Sequence, residues 1–534
     1  GGDAFQEEGE EAVVHRAQGL RVPSHAFTAT VPLPPEQLRD GVALQQAVQE
    51  AQLQFPEYLP HFPRRGLQLR EWTEGTVRSI HMQRQRAPSS LTYLRNGAVV
   101  VLTYDRAEYL QRTLNSLKEV KLIEDIAVYI SEDGDEGGNI PGIMKSMPSS
   151  WIHLQRKRVL DPRVKTPTVT AYIASHYKHI LDMVLLQKKH DYAILLEDDM
   201  LLSPDLLQYF EQLVPVLQAD PSLWCVSSWN DNGFEALVSE DLTKLHRTSF
   251  FPGLGWMIHK SVWEEIRSKW PPDQWDHGMR IDSIHRGRQC IYPEISRNHN
   301  IGAVGSNVHP ADFARYLANI AFANTPDVFL GDVSRMLLMN YESALSALVS
   351  RARRLPVDFL RMQDLPDAEV LLIPYTARGY ASIAQSLGIW HLPRAHHRHT
   401  QVFSRAPQSL YRGDRQNRIL ILASVTLSPF LPPVDISGIV VTRAVQSESC
   451  DEACGRHDWT CHEPSFPIIN HCHTLFLFFP CPAKSGCWLE MGKEIPNYVP
   501  EPSDRNHGRC LITEETTECA NKHPHTQRLC PCVA

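Results

Sequence analysis

The chain has 534 residues, 43% of them apolar and 21% charged, and a formal net charge of −8. Length allows about three domains, and the composition is that of an ordinary globular protein. The negative balance argues against nucleic acid as a main partner, and no run reaches the ~18 apolar residues of a membrane span.

Residues 1–95 carry scattered prolines and one helical stretch near Val42 to Gln54, which reads as a stem or irregular lead-in. The chain opens "GGDAFQEEGEEAVVHR" without a methionine, so a membrane anchor or targeting segment missing from this chain is allowed for. From Gly97 strands and helices alternate. "AVVVLTYDR" is a buried strand, and "AEYLQRTLNSLKE" places Leu110, Leu114 and Leu117 on one helical face. "IAVYI" is a second strand, running into "SEDGDEGG", and "TAYIASHYKHILDMVLL" is a helix. Ala193–Leu196 then forms an apolar run suited to a strand buried on both faces. Ser203 and Pro204 read as N-cap and first residue of the next helix. The alternation predicts an α/β fold with a mostly parallel sheet over residues 96–325.

Between that strand and that helix stand Glu197, Asp198 and Asp199, with no basic residue near them in the sequence. Adjacent carboxylates repel one another and need hydrogen-bond donors or a cation. A hard divalent cation with oxygen ligands fits; the plainer alternative is a solvated acidic turn. Arg106 and Asp133 follow the other two strands, so polar groups gather at one edge of the sheet, where open α/β sheets bind ligands. No glycine-rich phosphate loop is present, which leaves phosphates to a metal and Arg106. Asp133 is either a hydrogen-bond acceptor for a uracil or ribose or a turn acid. In "PGLGWMI", Gly255 would let backbone approach a ligand beside the flat face of Trp256; a glycine turn with a core tryptophan is the alternative. In "WPPDQWDHGMR", Asp276, next to Trp275, and Asp273 are each able to serve as a proton-accepting base or as a helix cap.

Residues 326–445 hold a second, weaker α/β alternation, read as a small domain ending in the linker "SPFLPPVD". Residues 446–534 form a cysteine-rich tail. Ten of the twelve cysteines fall in the last 85 residues, which reads as a disulfide framework and hence a secretory-pathway protein. The tail also holds seven histidines, but "CPC" and the irregular gaps match no standard zinc spacing.

The pieces "TYDR", "SHYK", "LLEDDM", "LWCVSSWNDNG", "FFPGLGW", "WDHGMR" and "RGRQCIYPEISR" stand in the order found in one family. The region from about Gly97 to Phe322 resembles the β-1,2-N-acetylglucosaminyltransferases of glycosyltransferase family 13. The resemblance implies a GT-A-type domain that moves GlcNAc from UDP-GlcNAc to the 2-hydroxyl of a mannose-terminated glycoprotein acceptor in the Golgi lumen. N-glycan and O-mannosyl acceptors both remain open. It implies that Asp199 ligates Mn²⁺, that Glu197 and Asp198 contact the ribose and GlcNAc of the donor, and that Asp133 reads the uracil. Arg106 and His176 would help hold the nucleotide. Asp276 would be the catalytic base, with Trp275, Gly255 and Trp256 on the acceptor side. Cys225 and Cys290 match a family disulfide; a second one would need cysteines where this chain has Tyr104 and Gly134. Gly278 replaces a family tryptophan, with His277 before it, and loss of that ring is expected to loosen the acceptor side. A glycan-binding protein without activity is the alternative function. The tail is similar to the cysteine-rich C-terminal region of N-acetylglucosaminyltransferase V.

Overall fold

The computed structural model describes residues 86–134, 139–303, 309–355, 369–375, 377–407, 418–425, 427–431, 439–470, 472–481, 488–513 and 517–533. The expected stem and its helix at Val42 to Gln54 lie outside the described residues. Of the described residues, those from 86 to 431 form one compact unit, Ala377 and Arg378 apart, and those from 439 form another.

The first unit is built on β1 (Gly97–Thr103), α1 (Ala107–Lys118), β2 (Ala127–Asp133), β3 (Ile152–Arg156), α2 (Val169–Leu181), β4 (Tyr192–Glu197), β5 (Met200–Leu202) and α3 (Leu206–Ala219). Then come β6 (Leu223–Ser227), β7 (Leu245–Thr248), β8 (Trp256–His259), α4 (Trp275–Met279), β9 (Gln289–Pro293) and β10 (Asn298–Asn300). Eight strands pair in the order β3-β2-β1-β4-β8-β6-β9-β7. Only β8 and β7 run against the rest. The mostly parallel α/β sheet expected from the sequence is therefore present. Its apolar runs have a physical reason: alternate residues enter different cores. Val99 and Val101 of β1 face one core with Leu110, Leu114 and Leu117 of α1, while Ala98 and Val100 face the other with Ala174, Tyr177 and Ile180 of α2. The chain leaves β1 for β2 and β3 on one side and returns as β4 on the other, so the strand order reverses between β1 and β4. That reversal opens a crevice at the carboxyl ends of the two strands.

Helix α3 begins at Leu206, two residues later than the Ser203–Pro204 signal predicted. Ser203 Oγ instead donates to Asp205 Oδ1 at 2.6 Å, and the same carboxylate takes Arg297 Nε at 3.1 Å. The helix is buried on nearly every side, polar residues included. Gln208 and Gln212 donate to the carbonyls of Pro88 and Val328. Glu211 accepts from the backbone N–H groups of Thr92, Tyr93 and Leu94 at 2.9–3.0 Å. A buried carboxylate thus holds the segment that leads into β1.

A second sheet in the same unit joins β11 (Arg353–Arg354), β12 (Val370–Tyr375), β13 (Thr400–Phe403) and β14 (Ile419–Ser424) in the order β11-β12-β14-β13. Cys225 and Cys290 are bonded between neighbouring positions of β6 and β9, with Cα atoms 4.7 Å apart. Tyr104 and Gly134 are neighbours too: a Cβ on Gly134 would lie 3.4 Å from Tyr104 Cε2.

In the second unit the last strand, β20, organises everything. The strands are β15 (Ile439–Arg443), β16 (Thr460–Cys461), β17 (Trp488–Leu489), β18 (Asn497–Tyr498), β19 (Cys510–Ile512) and β20 (Gln527–Val533). β20 pairs with β15, β16 and β18. The "CPC" puzzle resolves here. Cys450 and Cys454 stand one helical turn apart, about 6 Å. Cys530 and Cys532 are alternate residues on one face of β20, about 6.6 Å apart. The two spacings match, and the pairs Cys450–Cys530 and Cys454–Cys532 form side by side. Cys461–Cys519 and Cys481–Cys510 add two more bonds.

The Glu211 anchor is testable. Glu211→Ala leaves three backbone N–H groups without their acceptor and should lower the unfolding free energy by about 3 kcal/mol in denaturant titration. A change below about 0.5 kcal/mol would contradict it.

Candidate functional site

The acidic triplet sits at the crevice between β1 and β4, and its burial explains its environment. Asp198 and Asp199 are 3% and 5% exposed. Thr103, at the end of β1, donates to Asp198 Oδ2 at 2.8 Å. Thr113 of α1 donates to the Asp198 carbonyl and accepts from Met200 N, which pins the turn to the helix. Tyr177 of α2 donates to Glu197 Oε1 at 2.8 Å. The base that the local sequence lacks arrives from 93 residues away. Arg106 Nη1 donates to Asp199 Oδ2 at 2.7 Å, and its Nη2 pairs with Asp198 Oδ1.

One guanidinium does not neutralise three carboxylates. Burial, then the Asp199 charge, pushes Glu197 up to about 7. Burial also lifts Asp198, to about 6, although Arg106 pulls the other way. Burial works against the charge of Arg106, but Asp198 and Asp199 more than offset it and hold the guanidinium above its ordinary value. Asp199 is confined further. Asn300 Nδ2 lies 3.4 Å from its Oδ1, and a Cβ on Gly302 would lie 2.1 Å from its Oδ2. Any larger residue at 302 would therefore push the Asp199 carboxylate out of this position, a constraint no local sequence pattern signalled. The donor set is hard oxygen with surplus negative charge, so these residues fit a divalent cation such as Mn²⁺.

Along the same edge, Asp133 already has partners. Arg156 Nε donates to its Oδ1 at 2.6 Å, and Arg158 Nε lies 3.6 Å from Oδ2. Burial raises its pKa, and Arg156 tempers the rise. The Arg158 guanidinium lies between the rings of Tyr104 and Tyr172, at 4.0 and 4.1 Å. His176 is buried, with Nε2 2.8 Å from Ser131 Oγ, and burial drives its pKa well below the ordinary value. Its neutral ring ties α2 to β2. In this structure that ring touches protein, where the resemblance placed it on the nucleotide.

The acceptor-side residues separate into two groups. Trp256 is fully buried among Trp224, Phe251 and Trp275, so it has no free face for a sugar to stack on. Trp275 is likewise covered, stacked on Tyr177 with ring centroids 4.0 Å apart. Gly255 has φ of +57°, and a Cβ there would meet Asn298 Nδ2 at 2.0 Å, so its need is close packing against protein. In this structure all three pack against protein. Asp276, by contrast, is 37% exposed at the first turn of α4, with Arg280 Nη1 3.4 Å away. Asp273 is committed elsewhere: it accepts from Thr168 Oγ1 at 2.9 Å, from Thr170 Oγ1 and from Gln274 N, tying down the start of α2. A Cβ on Gly278 would lie 2.1 Å from Pro271 Cγ, so Pro271 occupies the space a side chain would need on this backbone.

Sequence reasoning missed a polar cluster from the second sheet's side of the unit. Arg394 Nη1 lies 3.1 Å from Asp231 Oδ1, and its guanidinium covers the Trp390 ring at 3.8 Å. Asp231 is buried, and its Oδ2 has no hydrogen-bond partner among the described residues. Arg280 stacks over Phe250 at 4.4 Å and feels the charges of both Asp276 and Asp231. The "WNDNG" motif contained Asp231, but its partner lies 163 residues on and has no motif of its own.

The GNT-I family model matches residues 37–405. The chain belongs to the GNT-I family. A relative from Arabidopsis thaliana, described as alpha-1,3-mannosyl-glycoprotein 2-beta-N-acetylglucosaminyltransferase, is 36% identical over 261 residues. The match covers 48% of this chain and 58% of the relative, so it spans little more than half that protein's length. Among solved structures, the mannosyltransferase PcManGT from Pyrobaculum calidifontis, in complex with GDP-Man and Mn²⁺, is 15% identical. It matches 59% of this chain and 87% of its own, with a TM-score of 0.28. S. aureus TarS 1-349 in complex with UDP is 11% identical over 41% and 62% of the two chains, with a TM-score of 0.29. Likeness at that level carries no argument about the site.

The raised acids give a stability test. A carboxylate whose folded pKa is raised contributes stability at low pH that is lost as pH rises through the folded value. For Glu197 the window runs from about 4.5 to about 7. Glu197→Gln removes the charge and should be more stable than the parent at pH 8 without divalent cation, by on the order of 2 kcal/mol. The gap should close as pH falls toward 5. Equal stability of the two proteins at pH 8 would contradict the charge argument.

Proposed function

We propose that this family member is an inverting β-1,2-N-acetylglucosaminyltransferase that takes GlcNAc from UDP-GlcNAc and places it on the 2-hydroxyl of a mannose. The observation that carries the reading is the surplus negative charge of the triplet at the β1–β4 crevice, with Asp198 and Asp199 buried and Glu197 half-buried, in a chain whose family is known by that chemistry. The disulfide-rich chain and this donor suit the Golgi lumen. A mannose-terminated glycoprotein is the proposed acceptor class.

Asp199 is the proposed Mn²⁺ ligand. When bound, the cation supplies Lewis acidity to the departing diphosphate. Arg106 is the proposed partner of the phosphates, given up by the carboxylates when the donor binds. Glu197, held by Tyr177, and Asp198 are the proposed contacts for the sugar and ribose, and Asp133, clamped by Arg156, is the proposed contact for the base. Asp276 accepts the proton of the attacking hydroxyl as the new bond forms at the anomeric carbon and UDP departs. The polar cluster of Asp231, Arg280 and Arg394 is the proposed acceptor wall, with the unpartnered Asp231 oxygen available to a sugar hydroxyl.

Asp276→Asn keeps the shape of the side chain but cannot take a proton at neutral pH. The rate constant for transfer from UDP-GlcNAc to a mannoside should fall by ~10²–10⁴-fold. Donor affinity should hold, because its contacts sit on other residues. Asp273→Asn should change the rate little and act through stability alone. If Asp273→Asn is the dead variant and Asp276→Asn is active, the proposed base is wrong. If mannosides are never glycosylated while a glycan is still bound, the protein is a binding module and the proposed reaction fails.

A further inference from the structure

The cysteine-rich unit carries a second constellation that the reaction does not use. We infer that Asp504, His523 and His525 form a zinc site in this unit, independent of the donor site. One ring nitrogen of each histidine and one Asp504 oxygen lie within 4.8 Å of one another. Two imidazoles and one carboxylate suit Zn²⁺, whereas Mg²⁺ and Ca²⁺ favour all-oxygen sets. A tetrahedral zinc site sets its ligands about 3.3 Å apart, so small side-chain rotations complete it.

The backbone under the three ligands is already held. His523 and His525 stand in the turn before β20. The Pro524 carbonyl between them accepts from Ser447 Oγ at 2.8 Å and from Gln446 Nε2 at 3.1 Å. Ser447 N donates to the Thr526 carbonyl, and Thr526 N to that of His523. Asp504 sits in a turn of its own. Its Oδ1 accepts from Asn506 N at 2.8 Å, which aims Oδ2 at His525 Nδ1, also at 2.8 Å. His523 Nδ1 takes only a long bond, 3.2 Å, from His525 N. Disulfides fix both flanks, Cys510–Cys481 after one turn and Cys519–Cys461 before the other.

Among the described residues of this unit, the one other candidate cluster offers no thiolate, because its Cys461 and Cys519 are bonded to each other. The imidazole site is not. The side chains of His525 and Asp504 are 38% and 17% exposed, open enough for an ion to enter. Glu501 Oε1 takes Ser503 Oγ and its Oε2 takes Gln446, so water is the expected fourth ligand. The Asp504–His525 contact then represents the metal-free form. Zinc binding replaces the proton on His525 Nδ1, which moves to Nε2 or is released. A ligating ring nitrogen must be free of its proton, so affinity should fall in acid. The bound ion would clip the 501–509 turn to the strand that carries Cys530 and Cys532.

The test uses the full chain, without a polyhistidine tag, stripped with chelator and titrated with Zn²⁺ alone. The parent should bind one more zinc ion per chain than His523→Gln/His525→Gln, at micromolar or lower free zinc. The same difference should persist when both proteins also carry Asp199→Ala, which removes the donor-site acid. X-ray absorption on the zinc-loaded Asp199→Ala protein should show a nitrogen and oxygen shell with imidazole scattering. Asp504→Asn should weaken that site about tenfold or more. Equal zinc uptake by parent and double variant, a shell without imidazole, or binding only at millimolar zinc as an adventitious ion would overturn the assignment.

Discussion

Three carboxylates at the junction of two parallel strands repel one another, and much of the first unit can be understood as an answer to that repulsion. The junction itself follows from topology. The strand order reverses between β1 and β4, so both carboxyl ends open onto one crevice. Thr103 and Arg106, from the end of β1 and the turn after it, and Tyr177 of α2 each give a hydrogen bond to the triplet. Even so, burial first and then the Asp199 charge push Glu197 up to about 7, so the cluster carries more negative charge than its donors offset. A site built for a cation has that property; a site built only for stability would more simply replace one acid.

The same side chains join the two halves of the proposed chemistry. Tyr177 holds Glu197 with its hydroxyl and stacks its ring on Trp275, the residue before Asp276. Trp275 in turn stacks on Trp256 and Trp270, a belt of rings under α4. The tryptophans that sequence reading set against a sugar are thus the floor beneath the site. Packing rings at that density leaves no face free, but it fixes the short helix that carries the Asp276 carboxylate.

Local patterns in the sequence revealed the strands, their parallel arrangement and the acidic edge, because buried parallel strands leave unbroken apolar runs. They also carried the family motifs. What they did not reveal depends on contacts between distant segments. Arg106 meets Asp199 across 93 residues, and Arg394 meets Asp231 across 163. Gly302 is demanded by the position of Asp199 and by nothing in its own neighbourhood. Spacing alone left Asp273 and Asp276 equivalent; the resemblance favoured Asp276, and in the structure two threonine hydroxyls are bonded to Asp273. In the tail, "CPC" became legible only beside a helix whose cysteines stand one turn apart.

The central claim is that the triplet is a cation and nucleotide-sugar site held partly protonated until it is filled. Calorimetric titration with UDP-GlcNAc and Mn²⁺, repeated in buffers of different ionisation enthalpy, measures the protons released on binding. The account predicts donor binding that requires Mn²⁺, with proton release at pH 6.5 that fades toward pH 8 and disappears in Asp199→Ala along with the binding. Tight donor binding in chelator, or Mn²⁺-dependent binding with no proton release at pH 6.5, would contradict it.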